Sequence, residues 1–259
     1  MEEGAARRAV VLVKTAPGGA ADSVDAFERA GRALPGVLST GDAHAVEAAL
    51  RLREADLVSE VVIVAVSASS EILGGVREAL AMGADRAFLV ADDRIDTMDI
   101  AARAKVVAAL LFTLPASVTL FGPWSGDIEG SLLWAAVAQH CAMPLLGQAR
   151  TLACEGDMWT AERQTEAGDV LQAASSPCLV EVSEALNRPR RATMRGLQAA
   201  RSRPVRLIAL DALGIEVPSA RTRFTVLGPA PIKRATQMVE GGQAAEVILA
   251  FLQARGFVL

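Results

Sequence analysis

A glycine-rich segment, Gly122–Gly130 (GPWSGDIEG), has a spacing that could hold a ligand. It follows a predicted strand and opens a predicted helix, where backbone N–H groups and a helix N-terminus can hold a phosphate. Asp127 and Glu129 are unsuited to direct phosphate contact, so they would cap N–H groups, bind a ribose or complement the helix dipole. A well-capped connecting loop without any ligand explains the same residues. The segment is not a Walker motif, because no Gly-Lys-Ser/Thr follows.

Two shorter segments could also contact a nucleotide, but their sequences support that interpretation less well. Pro17–Ser23 (PGGAADS) resembles the SGGxDS loop of ATP pyrophosphatases, but one extra residue separates Gly-Gly from Asp-Ser. A backbone cradle is strict about spacing, so a plain glycine-rich loop is the favoured interpretation. Ser39–Asp42 (STGD) precedes a predicted helix, and Asp42 is either its N-cap or a side chain facing a ribose. Capping alone is the favoured interpretation there.

A basic segment is the third candidate, with seven arginines in nineteen residues interrupted by Met194 and Leu197. The arginines are Arg188, Arg190, Arg191, Arg195, Arg201, Arg203 and Arg206. Arginine pairs well with carboxylates across interfaces, which favours a docking loop over a merely solvated one. RNA binding is less favoured, because no aromatic side chains stand ready to stack on bases.

No self-contained catalytic apparatus emerges from the remaining residues. His44 and His140 lie far apart, each on a predicted helix, and neither HExxH nor GxSxG is present. The three cysteines fit no zinc ribbon or CxxC pair, and their odd number predicts a reduced, cytoplasmic chain. These absences favour a carrier or binding protein over a hydrolase, with no catalytic residue and no metal ligand.

The amino-acid composition further limits the classes of protein to which the chain could belong. The 259 residues are 52% hydrophobic but only 4% aromatic, which predicts an aliphatic core. A formal net charge of −4 argues against general nucleic-acid binding. Arg103 and Lys105 interrupt the most apolar helical stretch, and no run reaches the ~18 apolar residues of a membrane span. The sequence therefore predicts a soluble protein without stable membrane insertion.

The candidate segments lie on an alternating pattern of strands and helices. Strands are predicted at Ala9–Thr15, Glu60–Ser67, Ala87–Val90 and Ser117–Phe121, and helices at Ala45–Ala55, Ser70–Met82, Ile100–Leu114 and Ser131–Cys141. This order predicts an α/β fold with a parallel, doubly wound sheet. Ligands of such sheets bind outside the carboxyl ends of the strands. The loops after those ends are therefore the candidate binding site.

The pattern changes after Pro144. Four short strand-like stretches predict an added antiparallel meander: Gln148–Cys154, Met158–Thr165, Val170–Ala174 and Cys178–Ser183. The basic segment Asn187–Arg206 is predicted to be irregular, and Ala244–Arg255 to form a final helix. We therefore predict a nucleotide-binding domain over residues 1–186, followed by a docking loop and a C-terminal arm over residues 187–259.

The amino-acid sequences of several segments, spread over nearly the whole chain, resemble those of the β subunits of electron transfer flavoproteins. The resemblance is carried by Lys14, Ala45–Glu54 (AVEAALRLRE), Glu60–Ser67 (EVVIVAVS), Val76–Ala87 (VREALAMGADRA), the glycine-rich loop, Leu186–Met194 (LNRPRRATM) and Pro231–Ala235 (PIKRA). LNRPRRATM and PIKRA are specific to that family. The resemblance implies an adenine nucleotide α hydrolase-like sheet and a heterodimer with an α subunit that holds most of the FAD.

The resemblance also implies functional residues. AMP, or in some family members a second FAD, would be bound by Leu12, Ser39, Thr40, Gly41, Asp42, Val66, Gly122, Ser125, Gly126, Asp127, Glu129, Gly130 and Ser131. Acyl-CoA or other flavin dehydrogenases would dock on Met194, Arg191, Arg195 and Leu197, with Met194 as the apolar anchor. The C-terminal arm would pack on the partner subunit. The subunit would then carry electrons from a dehydrogenase to a downstream acceptor.

Three departures from the family pattern qualify these expectations. Ser39-Thr40 replaces a usual Asn-Pro, and Leu132 replaces a Gln that could hydrogen-bond a phosphate or base. The pocket could therefore hold AMP, a second FAD or no nucleotide. Met194-Arg195 replaces a usual Leu-Pro, which predicts a different dehydrogenase partner rather than loss of docking. The alternative function is a stand-alone adenine-nucleotide-binding protein or an ATP-pyrophosphatase-like enzyme that uses Pro17–Ser23.

Overall fold

The computed structural model describes residues 7–13, 15–16, 37–68, 73–123, 132–222, 238–239 and 241–257. The strands are β1 (Arg8–Leu12), β2 (Thr15–Ala16), β3 (Val37–Leu38), β4 (Glu60–Ser67), β5 (Arg86–Ala91), β6 (Val118–Phe121), β7 (Leu145–Ala149), β8 (Ala153–Glu155), β9 (Met158–Thr165), β10 (Gly168–Ser175), β11 (Cys178–Val182) and β12 (Val205–Ile208). The α-helices are α1 (Thr40–Glu54), α2 (Leu73–Met82), α3 (Ile100–Phe112), α4 (Leu132–Cys141), α5 (Met194–Ser202) and α6 (Ala244–Ala254). Short 3₁₀ helices span Asp93–Thr97 and Leu210–Leu213.

The apolar, β-branched runs form a seven-stranded parallel sheet within the described residues. Its order is β12-β5-β4-β1-β6-β11-β7, so β1 lies at the centre, between β4 and β6. Val11 of β1 is in register with Ile63 of β4 and Leu120 of β6. Both faces of the sheet are covered, by α1 and α2 on one side and by α3 and α4 on the other. This explains why the central strands β1, β4 and β6 are nearly continuous apolar runs rather than alternating, and it confirms the predicted fold class.

Helix α1 begins earlier than the sequence pattern suggested. It starts at Thr40 rather than Ala45, because Ser39 caps it: the Ser39 hydroxyl accepts a hydrogen bond from the Asp42 N–H at 3.0 Å. The prediction that Asp42 is the N-cap is therefore wrong, and Asp42 lies in the first helical turn. Thr, Gly and Asp are poor interior helix formers, but they suit a capped first turn.

The strands after Pro144 do not form one meander. β8, β9 and β10 make a separate three-stranded antiparallel sheet, whereas β7 and β11 join the main sheet as parallel strands. All five residues of β11 are buried, which fits a strand covered on both faces. The predicted strand Gln148–Cys154 is also wrong, since β7 ends at Ala149 and β8 begins at Ala153. The strand-like stretches after Pro144 look alike in sequence, so the sequence alone does not show which of them join the main sheet and which form the separate one.

The basic segment is more ordered than predicted. Thr193 caps helix α5, since its hydroxyl accepts a hydrogen bond from the Gly196 N–H at 3.0 Å. Strand β12 follows and pairs with the edge of β5. The expectation of an irregular Asn187–Arg206 is therefore wrong over these stretches. The helix α5 was not predicted, because arginines are so frequent in this segment that the amphipathic spacing of a short helix is hard to recognise.

The chain divides into two compact units, Met1–Thr225 and Val226–Leu259. The predicted domain boundary at residue 187 stays a prediction. In the second unit, helix α6 confirms the predicted final helix to within one residue, and none of its residues is buried. The other predicted helices and strands agree with the described ones to within a few residues at each end. Within the described residues, no helix has the length and apolar character needed to cross a bilayer.

A short turn of Gly83, Ala84 and Asp85 joins α2 to β5. Gly83 ends the helix with a φ of +135°, a conformation that disfavours other residues. Two residues later, the Asp85 carboxylate accepts hydrogen bonds from the Val61 N–H at 2.8 Å and from the Arg53 guanidinium at 2.9 Å. This single side chain therefore ties the turn to strand β4 and to helix α1.

We expect Asp85→Ala to lower the free energy of unfolding by about 1–3 kcal/mol, because it leaves the Val61 N–H and the Arg53 guanidinium without that acceptor. Urea denaturation of the purified protein measures the effect. The control is Asp157→Ala in the exposed β8–β9 turn, which should change stability by less than about 0.5 kcal/mol. Equal losses in the two variants would contradict the role assigned to Asp85.

Candidate functional site

The carboxyl ends of β1 and β4 meet a small cleft on the side of the sheet covered by α3 and α4. Its volume is about 30 Å³, and it is lined by Leu12, Val13, Val66, Arg103, Val107, Leu133 and Trp134. Leu12 and Val66 are thus brought together, as expected for binding residues on neighbouring strands. The volume is room for about one water molecule, so the described residues form at most the floor of a nucleotide site.

The first turn of α1 and the residue after β6 make an unusually close backbone contact at the same edge of the sheet. A Cβ atom added to Gly122 would lie 2.4 Å from the Gly41 carbonyl carbon and 2.7 Å from the Asp42 nitrogen. Only glycine allows this approach. Because Phe121 is in register with Leu12, the contact adjoins the end of β1. Two of the segments predicted to bind the nucleotide therefore converge beside the cleft.

The side chains of the Ser39–Asp42 segment differ in whether a ligand from solvent could reach them. Asp42 is buried, with only 2% of its surface exposed, and Gly41 is buried as well. Thr40 is exposed, and the Ser39 hydroxyl is engaged by its own helix. A ligand reaching this turn from solvent would meet Thr40 and backbone N–H groups before the Asp42 carboxylate. The role of Asp42 toward a ribose stays a prediction.

Arg103 is a residue that the sequence reasoning did not place in the site. It lies on α3 and is the one charged residue among those that line the cleft. The signal was present as a cation within the most apolar helical stretch of the chain. Trp134 forms the neighbouring wall and stacks on Phe121, with ring centroids 3.9 Å apart. The cleft thus combines an aliphatic floor, an aromatic wall and a cation.

Several predicted site residues lie outside the described part of the chain. They are Lys14, the Pro17–Ser23 segment, Ser125, Gly126, Asp127, Glu129, Gly130 and Ser131. Their assignments stay predictions.

The predicted docking residues lie on and just before helix α5. Met194 is the first residue of the helix and is 75% exposed, and Leu197, one turn later, is 44% exposed. Arg191 and Arg195 are also exposed, so four predicted docking residues share an accessible surface. The helix lies close against the end of α2, because a Cβ atom added to Gly196 would lie 2.3 Å from the Ala81 carbonyl oxygen.

The arginines of the basic segment are not equivalent. Arg190 faces inward, and its guanidinium contacts the carboxylates of Glu47 and Glu54 on α1. Arg203 also faces protein, donating to the carbonyl oxygens of Gly83 and Ala84 at the end of α2. Arg201 joins Arg191 and Arg195 at the surface. The positive charge offered to a partner is therefore smaller than the sequence count suggests.

Glu47 is the buried charge at the centre of this arrangement. Burial alone would raise the pKa of its carboxyl, but hydrogen bonds from Arg190 and Arg51 outweigh it and hold the pKa below the usual value. The carboxylate therefore stays charged at neutral pH and keeps its two cationic partners.

A second buried pair joins the same helix to the start of the basic segment. Nδ1 of His44 lies 3.1 Å from Oδ1 of Asn187, and the Asn187 amide donates to the His44 carbonyl oxygen at 2.9 Å. Both side chains are buried. His44 and Asn187 thus join helix α1 to the start of the basic segment.

The described residues contain no group of three His, Cys, Asp or Glu residues that could hold a metal ion. Cys141, Cys154 and Cys178 are free thiols, and burial raises the pKa of Cys178 to about 12. A thiol with that pKa is neutral at physiological pH and is a poor nucleophile.

Comparison with known proteins places these features in context. Residues 30–213 match the family model for the electron transfer flavoprotein domain. The chain is 30% identical to the electron transfer flavoprotein subunit beta of Mycobacterium leprae, over 87% of this chain and 89% of that protein. The corresponding protein of Megasphaera elsdenii is 29% identical, over 82% and 81% of the two chains. Subunit CarD of the caffeyl-CoA reductase-Etf complex of Acetobacterium woodii is 27% identical, over 83% and 84%.

We expect Gly122→Ala to destabilise the protein by about 1–3 kcal/mol, because the new methyl group would force the first turn of α1 away from the sheet edge. Urea denaturation measures the change in the free energy of unfolding. Gly147→Ala is the matched control, since its Cβ would lie an ordinary 3.5 Å from Glu181 Oε2. A Gly122→Ala protein as stable as the control would show that the first turn of α1 moves freely.

Proposed function

The chain belongs to the family of electron transfer flavoprotein β subunits, and from that premise we propose that it is the β subunit of a heterodimeric electron carrier. It would take electrons from a flavin dehydrogenase through an FAD held mainly by an α subunit, and pass them to a downstream acceptor. The match over residues 30–213 carries the proposal, because it covers the proposed docking surface and every residue that lines the cleft except Leu12 and Val13. No catalytic residue of its own is required for that work.

The adenine nucleotide would bind at the carboxyl ends of β1 and β4. Support comes from the convergence of Gly122 and Gly41 beside the cleft, at the N-terminus of α1, since helix N-termini favour anions. Leu12 and Val66 would contact the adenine face, and Arg103 would balance phosphate charge. The residue types suit AMP, whereas the 30 Å³ cleft makes the described residues only the floor of the site.

The FAD supplies the electron-accepting and electron-donating chemistry when it is bound. The contribution of this chain would be to form one wall of the flavin site and to exclude water from it. Neither role requires a titratable group from this chain.

Docking of the dehydrogenase is proposed for the exposed surface of α5. Met194 would enter an apolar socket on the partner, because a flexible, unbranched side chain adapts to irregular pockets. Arg191 and Arg195 would pair with carboxylates around that socket. The relative from Acetobacterium woodii is named as a subunit of a complex with a CoA-thioester reductase, which supports a partner of this chemical class.

The C-terminal unit is proposed to pack on the α subunit. Helix α6 carries Val247, Ile248 and Phe251 at helical spacing, and none of its residues is buried. An isolated helix of eleven residues is marginal in water. Burying this apolar stripe on another subunit would stabilise the helix.

Co-expression of the chain with the product of the neighbouring reading frame tests the proposed function. We expect a yellow one-to-one heterodimer with flavin absorbance, which releases AMP when it is denatured. The absorbance spectrum and mass spectrometry of the extracted nucleotides identify the two cofactors. A colourless monomer that consumes ATP would contradict the proposal and favour the stand-alone nucleotide-binding alternative.

Met194→Glu tests the docking anchor in that heterodimer. We expect the KM for the reduced dehydrogenase to rise at least about tenfold, because loss of a buried anchor costs about 1.4 kcal/mol or more. The value of kcat should change little. Met158→Glu is the control: it introduces the same charge at an exposed methionine on β9, away from α5. Similar effects of both variants on KM would argue against Met194 as the anchor.

A further inference from the structure

The segment that leads into the docking helix has no regular structure of its own. Between Asn187 and the cap at Thr193, the described hydrogen bonds that tie it to the rest of the fold come from Asn187 and Arg190, and Ala192 adds an apolar contact with the core. Asn187 pairs with His44, as described above, and Arg190 pairs with Glu47 and Glu54. The backbone N–H of Arg190 also donates to Glu47 Oε2, at 3.2 Å. The position of this segment therefore depends on α1.

Arg190 uses its whole guanidinium in these contacts. Toward Glu47, Nε donates to Oε2 at 2.7 Å and Nη2 donates to Oε1 at 3.2 Å. Toward Glu54, Nη1 donates to Oε1 at 2.6 Å and Nη2 donates to Oε2 at 3.1 Å. Both pairs are bidentate, and only a planar fork can form them. Such an arrangement determines the direction of the side chain as well as its distance from α1.

The two carboxylates differ in how much they constrain Arg190. The Glu47 side chain is 4% exposed, and its other cation, Arg51, is 52% exposed on the same helix. A buried carboxylate keeps its cationic partner closely, because separation would leave an uncompensated charge in the interior. The pair with the exposed Glu54 is screened by solvent and contributes less. Glu47 is therefore the main restraint.

The far end of the docking helix is held separately. The Arg77 guanidinium of α2 donates to the carbonyl oxygens of Ala200 at 2.6 Å and Arg203 at 2.8 Å. The Gly196 backbone rests against the Ala81 carbonyl in the first turn of α5, and Ala192 packs against the core just before the helix. Neither contact is a directional hydrogen bond. The nearest upstream side chain that fixes the entering segment by hydrogen bonds to another element is that of Arg190, four positions before Met194.

We infer that Arg190 is a positioning residue for partner docking: its double fork to Glu47 and Glu54 orients the first turn of α5 and so presents Met194 to the partner. Arg190 does not itself touch the partner in this scheme. Its effect comes from preorganisation, since a docking element that is already ordered loses less entropy on binding. The docking part of this inference rests on the proposed function, whereas the hold of Arg190 on α5 does not.

Three variants of the purified heterodimer test the inference. Arg190→Gln removes both forks, and Arg190→Lys keeps the charge but cannot form a fork. Arg51→Gln is the matched control, because it removes the other cation on Glu47 and leaves the basic segment untouched. The readouts are hydrogen exchange of the amides in 193–202, hydrogen exchange of β1 and β4, and the KM and kcat with a reduced acyl-CoA dehydrogenase.

For Arg190→Gln we expect exchange in 193–202 to accelerate at least about tenfold, with β1 and β4 unchanged. The KM for the dehydrogenase should rise about tenfold, with kcat within about twofold, since each tenfold change corresponds to about 1.4 kcal/mol. Arg190→Lys should accelerate exchange in 193–202 and raise the KM less than Arg190→Gln does. Arg51→Gln should stay within about twofold of the parent protein in every readout.

Four results would overturn the inference. They are unchanged exchange in 193–202, accelerated exchange without a change in KM, equal effects of Arg51→Gln and Arg190→Gln, and loosening of β1 and β4 to the same degree. If the parent heterodimer accepts no electrons from any dehydrogenase, the proposed function has failed. The exchange comparison still decides whether Arg190 holds α5, so the two failures are distinguishable.

Discussion

The attachment of helix α1 to the parallel sheet is the constraint on which the rest of the structure depends. Its first turn touches the backbone at Gly122, where any side chain would prevent the approach. The same face of the helix is buried over most of its length against the core. A helix held this closely cannot rotate or slide without disturbing the edge of the sheet where ligands of such folds bind. Its side chains therefore have defined positions.

Two features with proposed functions depend on that one helix. Its N-terminus lies beside the cleft at the ends of β1 and β4, and its middle turns hold the segment before α5 through His44 and Glu47. The cleft and the proposed docking surface are thus both supported by α1.

Much of this architecture could be predicted from the chain alone. Glu60–Ser67 is continuously apolar and β-branched, and its bounds were predicted correctly because parallel strands buried on both faces have that composition. Gly83 indicates the end of α2 from the chain alone, because glycine readily adopts the positive φ found after helices. The start of α1 was missed, because Thr40 and Gly41 are weak helix formers that only a cap at Ser39 recruits.

The division between sequence and tertiary structure follows the range of the interactions. Periodicity, capping residues and turn glycines act over a few positions, so the chain itself determined the strands, most helices and the presence of a basic segment. Which arginine of that segment faces inward was decided by Glu47, 143 positions away. Similarly, the place of Arg103 in the cleft and of β11 in the main sheet depends on contacts between distant segments. No local pattern encodes such contacts, because they form only when the sheet assembles.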